Sequence, residues 1–577
     1  MPNAQSLTFA TLHSLIARLS PLKACTLAFV CGVITLFAFA PFFFWPIYVL
    51  SITLMVWLID GARIKTRGWR RSVFFRGWLF GAGFTLSSMH WLAAPFLVEP
   101  EKHLMYIWMP LILMPAGLGL FFGVATLLAG HFWSRKPGRI FVFVLAVSLT
   151  EYLRGIIFGG FPWNWPGTIW EPGLPVSQLA SIFGAYGLSV LTLLLAASPA
   201  ALADFDPKNG VAGRVFPVFL AVIVFGSGWG WGSQRLDLPE PDKVMAVRLV
   251  DIAIPQDEKY PVYDFNVEEE SRARADLILN AYVSATGSDL PDEPRLIIWP
   301  ESPIPVRFVD DRDSEFMKAV PLIQDPDALD AIYQQLGDRE LITGTPRYER
   351  FDEDGNLSNR AFNSLALLTN RNNSYVPAEI YDKRRLVPFG ELAAADFIPF
   401  GQQISGLLPQ AMQQAARAGY TPGDISSSAS HLKSLSTGET FLPLICYEAL
   451  FPNLVRKDAR NADFLVNISL DHWFGGQIGP QQHFINASFR SIETGRPMIR
   501  VANQGVTGVV DPTGRLVLGN VDVSTDHGWT VKVTDVTVDL NKVNTIYNSD
   551  FNYALTLMFV FIALFGVMLS RKVKLSA

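Results

Sequence analysis

The chain is short of cysteine, of charge and of any basic excess, and each shortage removes a class of protein. Three cysteines in 577 residues, two of them in the first apolar segment, provide no disulfide framework. Charged residues make up 17% of the chain against 50% hydrophobic, a balance that suits a membrane protein with one soluble domain better than a soluble enzyme. A net charge of −5 leaves no basic face to compete for phosphates, which argues against a nucleic-acid partner. Repeats and low-complexity tracts are absent. No small-residue cleavage site follows the first apolar run, so that run is expected to be a retained helix and not a signal peptide.

Long apolar runs are plentiful and crowd into the first part of the chain. Stretches of spanning length lie near 22–40, 43–60, 74–95, 104–131, 139–157, 174–203 and 214–232, and an eighth at Phe551–Leu569. So many in so little chain are hard to bury without lipid. Basic residues orient them: Arg63, Lys65, Arg67, Arg70 and Arg71 follow the second run, Arg135, Lys136 and Arg139 the fourth, and Lys208 and Arg214 the sixth. With Arg18, Lys23 and the tail residues Arg571, Lys572 and Lys574 they share one side of an eight-span frame, and that side is the cytoplasm. The expected organisation is a seven-span domain over 1–232, an outward-facing domain over 233–550, and an eighth span with a cytoplasmic tail over 551–577. In a Gram-negative cell the insert then faces the periplasm from the inner membrane.

The insert alternates strand and helix signals. Strands are expected at Val244–Val250, Arg295–Trp299, Leu341–Pro346, Asn363–Leu368, Phe441–Cys446, Phe464–Ser469 and Met498–Ala502. Helices are expected at Glu268–Ser284, Asp327–Leu336 and Gly479–Glu493, and Asp511-Pro512-Thr513-Gly514 marks a hairpin. Such alternation implies a layered α/β domain. The stretch Gly390–Ser436 has few strand signals and reads as a lid or arm, or else as a poorly ordered segment.

Cys446 is the lone cysteine of this insert and closes the apolar run Phe441-Leu442-Pro443-Leu444-Ile445. A thiol at the carboxyl end of a buried strand stands where α/β proteins build their sites. It is either a small inert hydrophobe or a nucleophile. Glu301 likewise ends the run Leu296-Ile297-Ile298-Trp299-Pro300, where burial suits a carboxylate to general-base work or where it caps a helix. Lys383 lies in a charge cluster that by itself reads as a solvated surface. His472 and His483 form no helical ligand pair with a third donor, so no metal is expected.

In order and spacing these segments resemble the carbon–nitrogen hydrolase (nitrilase) superfamily. The resemblance rests on Glu301, on Tyr381-Asp382-Lys383-Arg384-Arg385-Leu386-Val387-Pro388-Phe389-Gly390-Glu391, and on Cys446-Tyr447-Glu448. With spans on both sides, the whole resembles the membrane-embedded branch that N-acylates lipoproteins. Phe161-Pro162-Trp163, Asp471-His472-Trp473-Phe474-Gly475 and Asn503-Gln504-Gly505 also fit. Two departures occur near the start of the insert: Val250-Asp251-Ile252-Ala253-Ile254-Pro255-Gln256 lacks the usual first Gln and the Asn, and Tyr260 stands where a tryptophan is usual.

The resemblance implies an αββα sandwich for the insert and a Glu-Lys-Cys triad. Cys446 is the implied nucleophile, Glu301 the general base and Lys383 the oxyanion stabiliser, with Glu391, Glu448 and Tyr447 in support. Glu391 and Glu448 are expected to hold Lys383. Trp473, Trp163 and Tyr260 are the implied lipid contacts, although Trp163 and Trp165 read equally well as aromatic-belt anchors or packing. The implied reaction takes an acyl chain from a glycerophospholipid, phosphatidylethanolamine foremost, and passes it through a thioester to the α-amine of a diacylated apolipoprotein. It needs no cofactor, and the protein is expected to act as a monomer in the bilayer. A membrane-tethered amidase and a non-enzymatic scaffold remain as alternatives.

Overall fold

In lipid a chain satisfies its backbone hydrogen bonds internally, and the first third of this sequence does so as helices. A computed structural model describes residues 8–64, 67–97, 100–204, 210–255, 268–287, 295–303, 307–310, 319–320, 336–349, 360–371, 374–388, 390–392, 419–424 and 431–549, with 258, 334 and 562. Tyr260, Lys65, Lys208, most of Asp327–Leu336, much of Gly390–Ser436 and all but Ile562 of the eighth expected span lie outside the described residues. The chain divides into two compact units, one of residues 1–238, 474–489 and 545–577, the other of 239–473 and 490–544.

In the first unit the helices are α1 (Phe9–Ala17), α2 (Pro21–Ile34), α3 (Pro46–Ile64), α4 (Trp69–Ser88), α5 (Met114–His131), α6 (Arg139–Arg154), α7 (Ala180–Ala197) and α8 (Gly210–Arg235). Among the described residues five helical stretches are long and apolar enough to cross a membrane: Pro21–Ala38, Pro46–Arg63, Leu104–His131, Pro175–Ala203 and Val211–Arg235. The runs expected at 74–95 and 139–157 form α4 and α6, which carry arginines. Helix α4 stops at Ser88 and gives way to a tight 3₁₀ turn, His90–Leu97, that contains Pro95. Small residues let these helices approach closely. A Cβ on Gly77 of α4 would lie 2.0 Å from Thr126 Oγ1 of α5, and one on Gly32 of α2 would lie 2.0 Å from the Phe80 carbonyl of α4.

One buried cation ties several of these elements together. The Arg139 guanidinium donates to Asp204 at 2.5 and 2.7 Å and meets Asp60 at 3.0 Å. Asp60 also receives Trp133 Nε1 at 2.9 Å and faces His13 Nε2 at 3.2 Å. The pairing is bidentate, the geometry for which a planar fork is suited.

The second unit holds fifteen strands among the described residues. The first seven are β1 (Val244–Ala253), β2 (Leu296–Ile298), β3 (Arg307–Asp310), β4 (Ala319–Val320), β5 (Glu340–Glu349), β6 (Ala361–Arg371) and β7 (Ser374–Asp382). Then come β8 (Leu432–Lys433), β9 (Thr440–Ile445), β10 (Phe464–Leu470), β11 (Met498–Asn503), β12 (Gly508–Val510), β13 (Leu516–Val517), β14 (Asn520–Asp526) and β15 (Trp529–Asp539). They make a nine-stranded sheet along β14-β15-β1-β2-β5-β3-β4, with β6 and β7 added beside β5, and a six-stranded sheet in order β13-β12-β11-β10-β9-β8. Helix α9 (Glu268–Gly287) lays Ala275, Ile278, Leu279 and Tyr282 on Val250, Ile252 and Ile297 of the first sheet. A further helix of this unit is α10 (Pro452–Asp458); α11 (Ile478–Thr494) has residues 478–489 in the first unit.

Apolar runs without alternation, such as Leu296-Ile297-Ile298 and Phe464-Leu465-Val466, are fully buried strands with parallel neighbours. The expected strands and the hairpin at 511–514 are present; β3, β4, β7, β8, β14 and β15 stand outside those expectations. The departure at Asp251 is a buried core position, where Asn503 Nδ2 of β11 donates to it at 3.3 Å.

Candidate active site

Three strand ends bring the expected residues together. Glu301 follows β2, Lys383 follows β7, and Cys446 follows β9. Glu301 is seated by its neighbour strand: the Gly344 N–H of β5 donates to Pro300 O at 3.2 Å, and a Cβ on Gly344 would lie 2.7 Å from the Glu301 Cα. Lys383 is fixed through its backbone, donating to Asn363 O and accepting from Gly423 N–H, both at 2.8 Å. Asp382 before it is clamped by Arg347 at 2.6 and 3.0 Å and by Ser364 at 2.5 Å.

The charged groups then converge. Lys383 Nζ, 1% exposed, donates to Glu391 Oε1 at 2.8 Å and to Glu301 Oε1 at 3.3 Å. Asn363 Nδ2 reaches the same two oxygens at 2.6 and 2.7 Å. Two donors therefore hold two like charges side by side. Glu301 Oε2 accepts the Leu470 N–H at 2.9 Å, and Glu391 Oε2 accepts that of Val387 at 2.9 Å. Burial alone would lower the Lys383 pKa, but the carboxylates of Glu301 and Glu391 outweigh it and hold the ammonium well above the usual lysine range. It stays charged through any physiological pH.

Cys446 sits at the turn from β9 into a 3₁₀ turn, with φ at +49°. A non-glycine residue held in the left-handed region stores strain, and such strain clusters at functional sites. Burial pushes the thiol up, and the Glu301 carboxylate adds to that, while Lys383 and Ser469 pull it back. The resting group is a thiol, so attack requires a base to take its proton.

Glu391 and Glu448 do different work. Glu448, fully buried, accepts the N–H groups of Arg384 at 2.6 Å, Arg385 at 3.2 Å and Ile445 at 2.8 Å, and the Tyr381 hydroxyl at 3.0 Å. It joins the segment bearing Lys383 to the residue before Cys446, where Glu391 touches the ammonium itself. Burial raises the Glu448 pKa and those amides partly offset it. Tyr447 is buried against Phe451. Trp473 is half-buried in the catalytic unit. In the other unit Trp163 is buried beside Trp91, Phe474 and His483, its N–H donating to Gln482 at 2.9 Å. Trp165 is buried there too.

Residues 267–547 match the carbon-nitrogen hydrolase family, and residues 31–198 match the apolipoprotein N-acyltransferase N-terminal domain. An apolipoprotein N-acyltransferase of Rhizobium rhizogenes is 34% identical over 510 residues, 86% of this chain and 87% of its own. The chain belongs to the apolipoprotein N-acyltransferase family. The enzyme of that name from Sinorhizobium fredii is 35% identical over 507 residues, 85% of this chain and 86% of its own. Among solved structures, an amidase of the nitrilase superfamily from Nesterenkonia is 17% identical with a TM-score of 0.30, covering 55% of this chain and 97% of that one. Membership in the acyltransferase family removes the scaffold and amidase alternatives.

Sequence reasoning missed Asn363, Gly344, Ser469 and Arg500 as parts of the site, and quoted Asp471 only within a segment that fits the resemblance. Only Gly344 left a signal, as a glycine within an apolar strand where another backbone approaches closely. Among the described residues no cluster of His, Cys, Asp and Glu has the arrangement of a metal site.

Proposed function

We propose that the protein completes lipoprotein maturation by acyl transfer through a thioester on Cys446. The observation that carries this reading is Lys383 Nζ held between Glu301 and Glu391 beside a strained, buried cysteine. Glu301 takes the thiol proton as sulfur attacks the ester carbonyl of a glycerophospholipid, phosphatidylethanolamine foremost. Lys383 faces the oxyanion of the tetrahedral intermediate, a contribution of about 3 kcal/mol for a well-placed donor in a dry site. The same proton passes from Glu301 to the departing glycerol oxygen, leaving a lysophospholipid and an acyl thioester. The α-amine of a diacylglyceryl cysteine at an apolipoprotein N-terminus then attacks, gives its proton to Glu301 and expels the thiolate.

The frame for this chemistry is an eight-span inner-membrane protein with both termini cytoplasmic, a membrane domain over 1–232, the catalytic domain over 233–550 in the periplasm, and the last span within 551–577. Two lipid-anchored substrates explain why the thiol domain is tethered to a bilayer. Tyr447, Trp473, Trp163 and Tyr260 belong to the substrate path in this reading, and a monomer suffices. Purified protein mixed with phosphatidylethanolamine of defined chains gains one acyl mass, and Cys446→Ala does not. Equal gain in both, or gain in neither, overturns the reading.

A further inference from the structure

Beside the thiol lies a buried ion pair that the reaction above does not use. Asp471 and Arg500, both fully buried, meet at 2.7 Å. Arg500 also donates to Asn467 Oδ1, and Asn467 Nδ2 donates to Leu444 O at 3.0 Å, two residues before Cys446. The other Asp471 oxygen accepts the Ser469 hydroxyl at 2.6 Å, and the parallel pairing of β9 with β10 sets Ile468 opposite Ile445, so Ser469 stands one position further on, beside Cys446. The contacts run from strand β9 through Asn467, Arg500 and Asp471 to Ser469, whose register places it beside the nucleophile at the end of β9.

We propose that Ser469 is a positioning residue for the Cys446 thiolate, its single hydroxyl proton shared between sulfur and Asp471, with Arg500 setting the balance. In the resting enzyme Ser469 donates to Asp471 and offers a lone pair to the S–H. When Glu301 has removed the thiol proton, the Ser469 hydroxyl turns and donates to the thiolate. No proton is transferred by Ser469; one hydrogen bond is exchanged for another. Arg500 makes the exchange cheap, because it still neutralises Asp471 after the serine has turned away. The device acts twice per cycle, once when the thiolate forms and once when the amine expels it from the thioester. The charged groups facing the sulfur are Glu301, Lys383 and Asp471, from three different strand ends. Glu391, Glu448 and Arg500 stand one contact further out. The inference rests on Cys446 being the nucleophile.

The test is the pH dependence of iodoacetamide alkylation at Cys446 in the full-length protein, read by intact mass. Ser469→Ala moves the midpoint up by about one unit, roughly a tenfold loss of thiolate at a fixed pH below it. Ser469→Thr, which keeps the hydroxyl, stays within about twofold of wild type. In the same preparations, acyl-enzyme formed from phosphatidylethanolamine decays several-fold more slowly on amine addition in Ser469→Ala. A Ser469→Ala profile superimposed on wild type overturns the proposal, as does a Ser469→Thr profile displaced like that of Ser469→Ala. A shifted alkylation profile with no acyl-enzyme in wild type supports the shared hydroxyl and overturns the acyl-transfer reading instead.

Discussion

Among the described residues one buried cation lies between two carboxylates in each unit, and the two cations differ. In the membrane unit Arg139 lies between Asp60 and Asp204; in the catalytic unit Lys383 lies between Glu301 and Glu391. The guanidinium spends several N–H groups on its partners in a fixed fork, and no reactive group faces it. The ammonium is a point charge on a flexible stem, also held by two oxygens, but a thiol stands beside it. Arginine suits a place where geometry must not change, and in the proposed reaction lysine supplies the charge that answers a developing oxyanion.

The comparison breaks most severely if Cys446 is not the reacting group. Cys446→Ala abolishes acyl transfer while thermal unfolding in detergent stays near wild type, and residual turnover above background by lipoprotein N-acylation assay contradicts the site. Glu301→Gln lowers acyl transfer by about 10²–10⁴-fold through loss of the general base. The same change speeds alkylation of Cys446. The Glu301 charge holds the thiol pKa up; removing it lowers that pKa and leaves more thiolate at a given pH. Alkylation that slows in step with transfer refutes this division of roles.

The two cations can also be exchanged. Lys383→Arg costs about 10²–10³-fold in acyl transfer, because the fork takes both carboxylates and no longer meets the oxyanion. Arg139→Lys costs about 2 kcal/mol of stability by lost charge-assisted hydrogen bonds and leaves turnover per folded molecule unchanged. The reverse pattern, activity lost at 139 and stability at 383, would remove the distinction. The smallest effect belongs to Gly344→Ala, where an added Cβ 2.7 Å from the Glu301 Cα displaces the base by a few tenths of an ångström. Transfer falls about tenfold in kcat, with little change in KM for the phospholipid.

What the sequence made legible follows from how local each signal is. Cys446 and Glu301 end unbroken apolar strands, so their place at a sheet edge is written in a few consecutive residues. Lys383 looks like surface charge until β7 is seen, and β7 carries Pro377 and three charged or polar positions that mask its strand pattern. Arg500 faces Asn467 because β10 and β11 pair with those two residues in register. Asn363 reaches Glu301 and Glu391 from β6, a strand remote from both in sequence. Such partners are set by strand register across the sheet, which no local pattern encodes. The shared expectation for Glu391 and Glu448 divided for a like reason: two of the three backbone amides that occupy Glu448 come from a segment more than sixty residues earlier.

That carboxylate also governs when the nucleophile becomes dangerous. Glu448 binds amides of residues 384, 385 and 445, and the base is completed by the amide of Leu470. A chain still being threaded into the bilayer presents a cysteine with no base, no ammonium and no strained turn. In the reaction proposed above, competence to form the acyl thioester therefore arrives only with the finished domain, and the newborn chain is protected from acylating itself out of place.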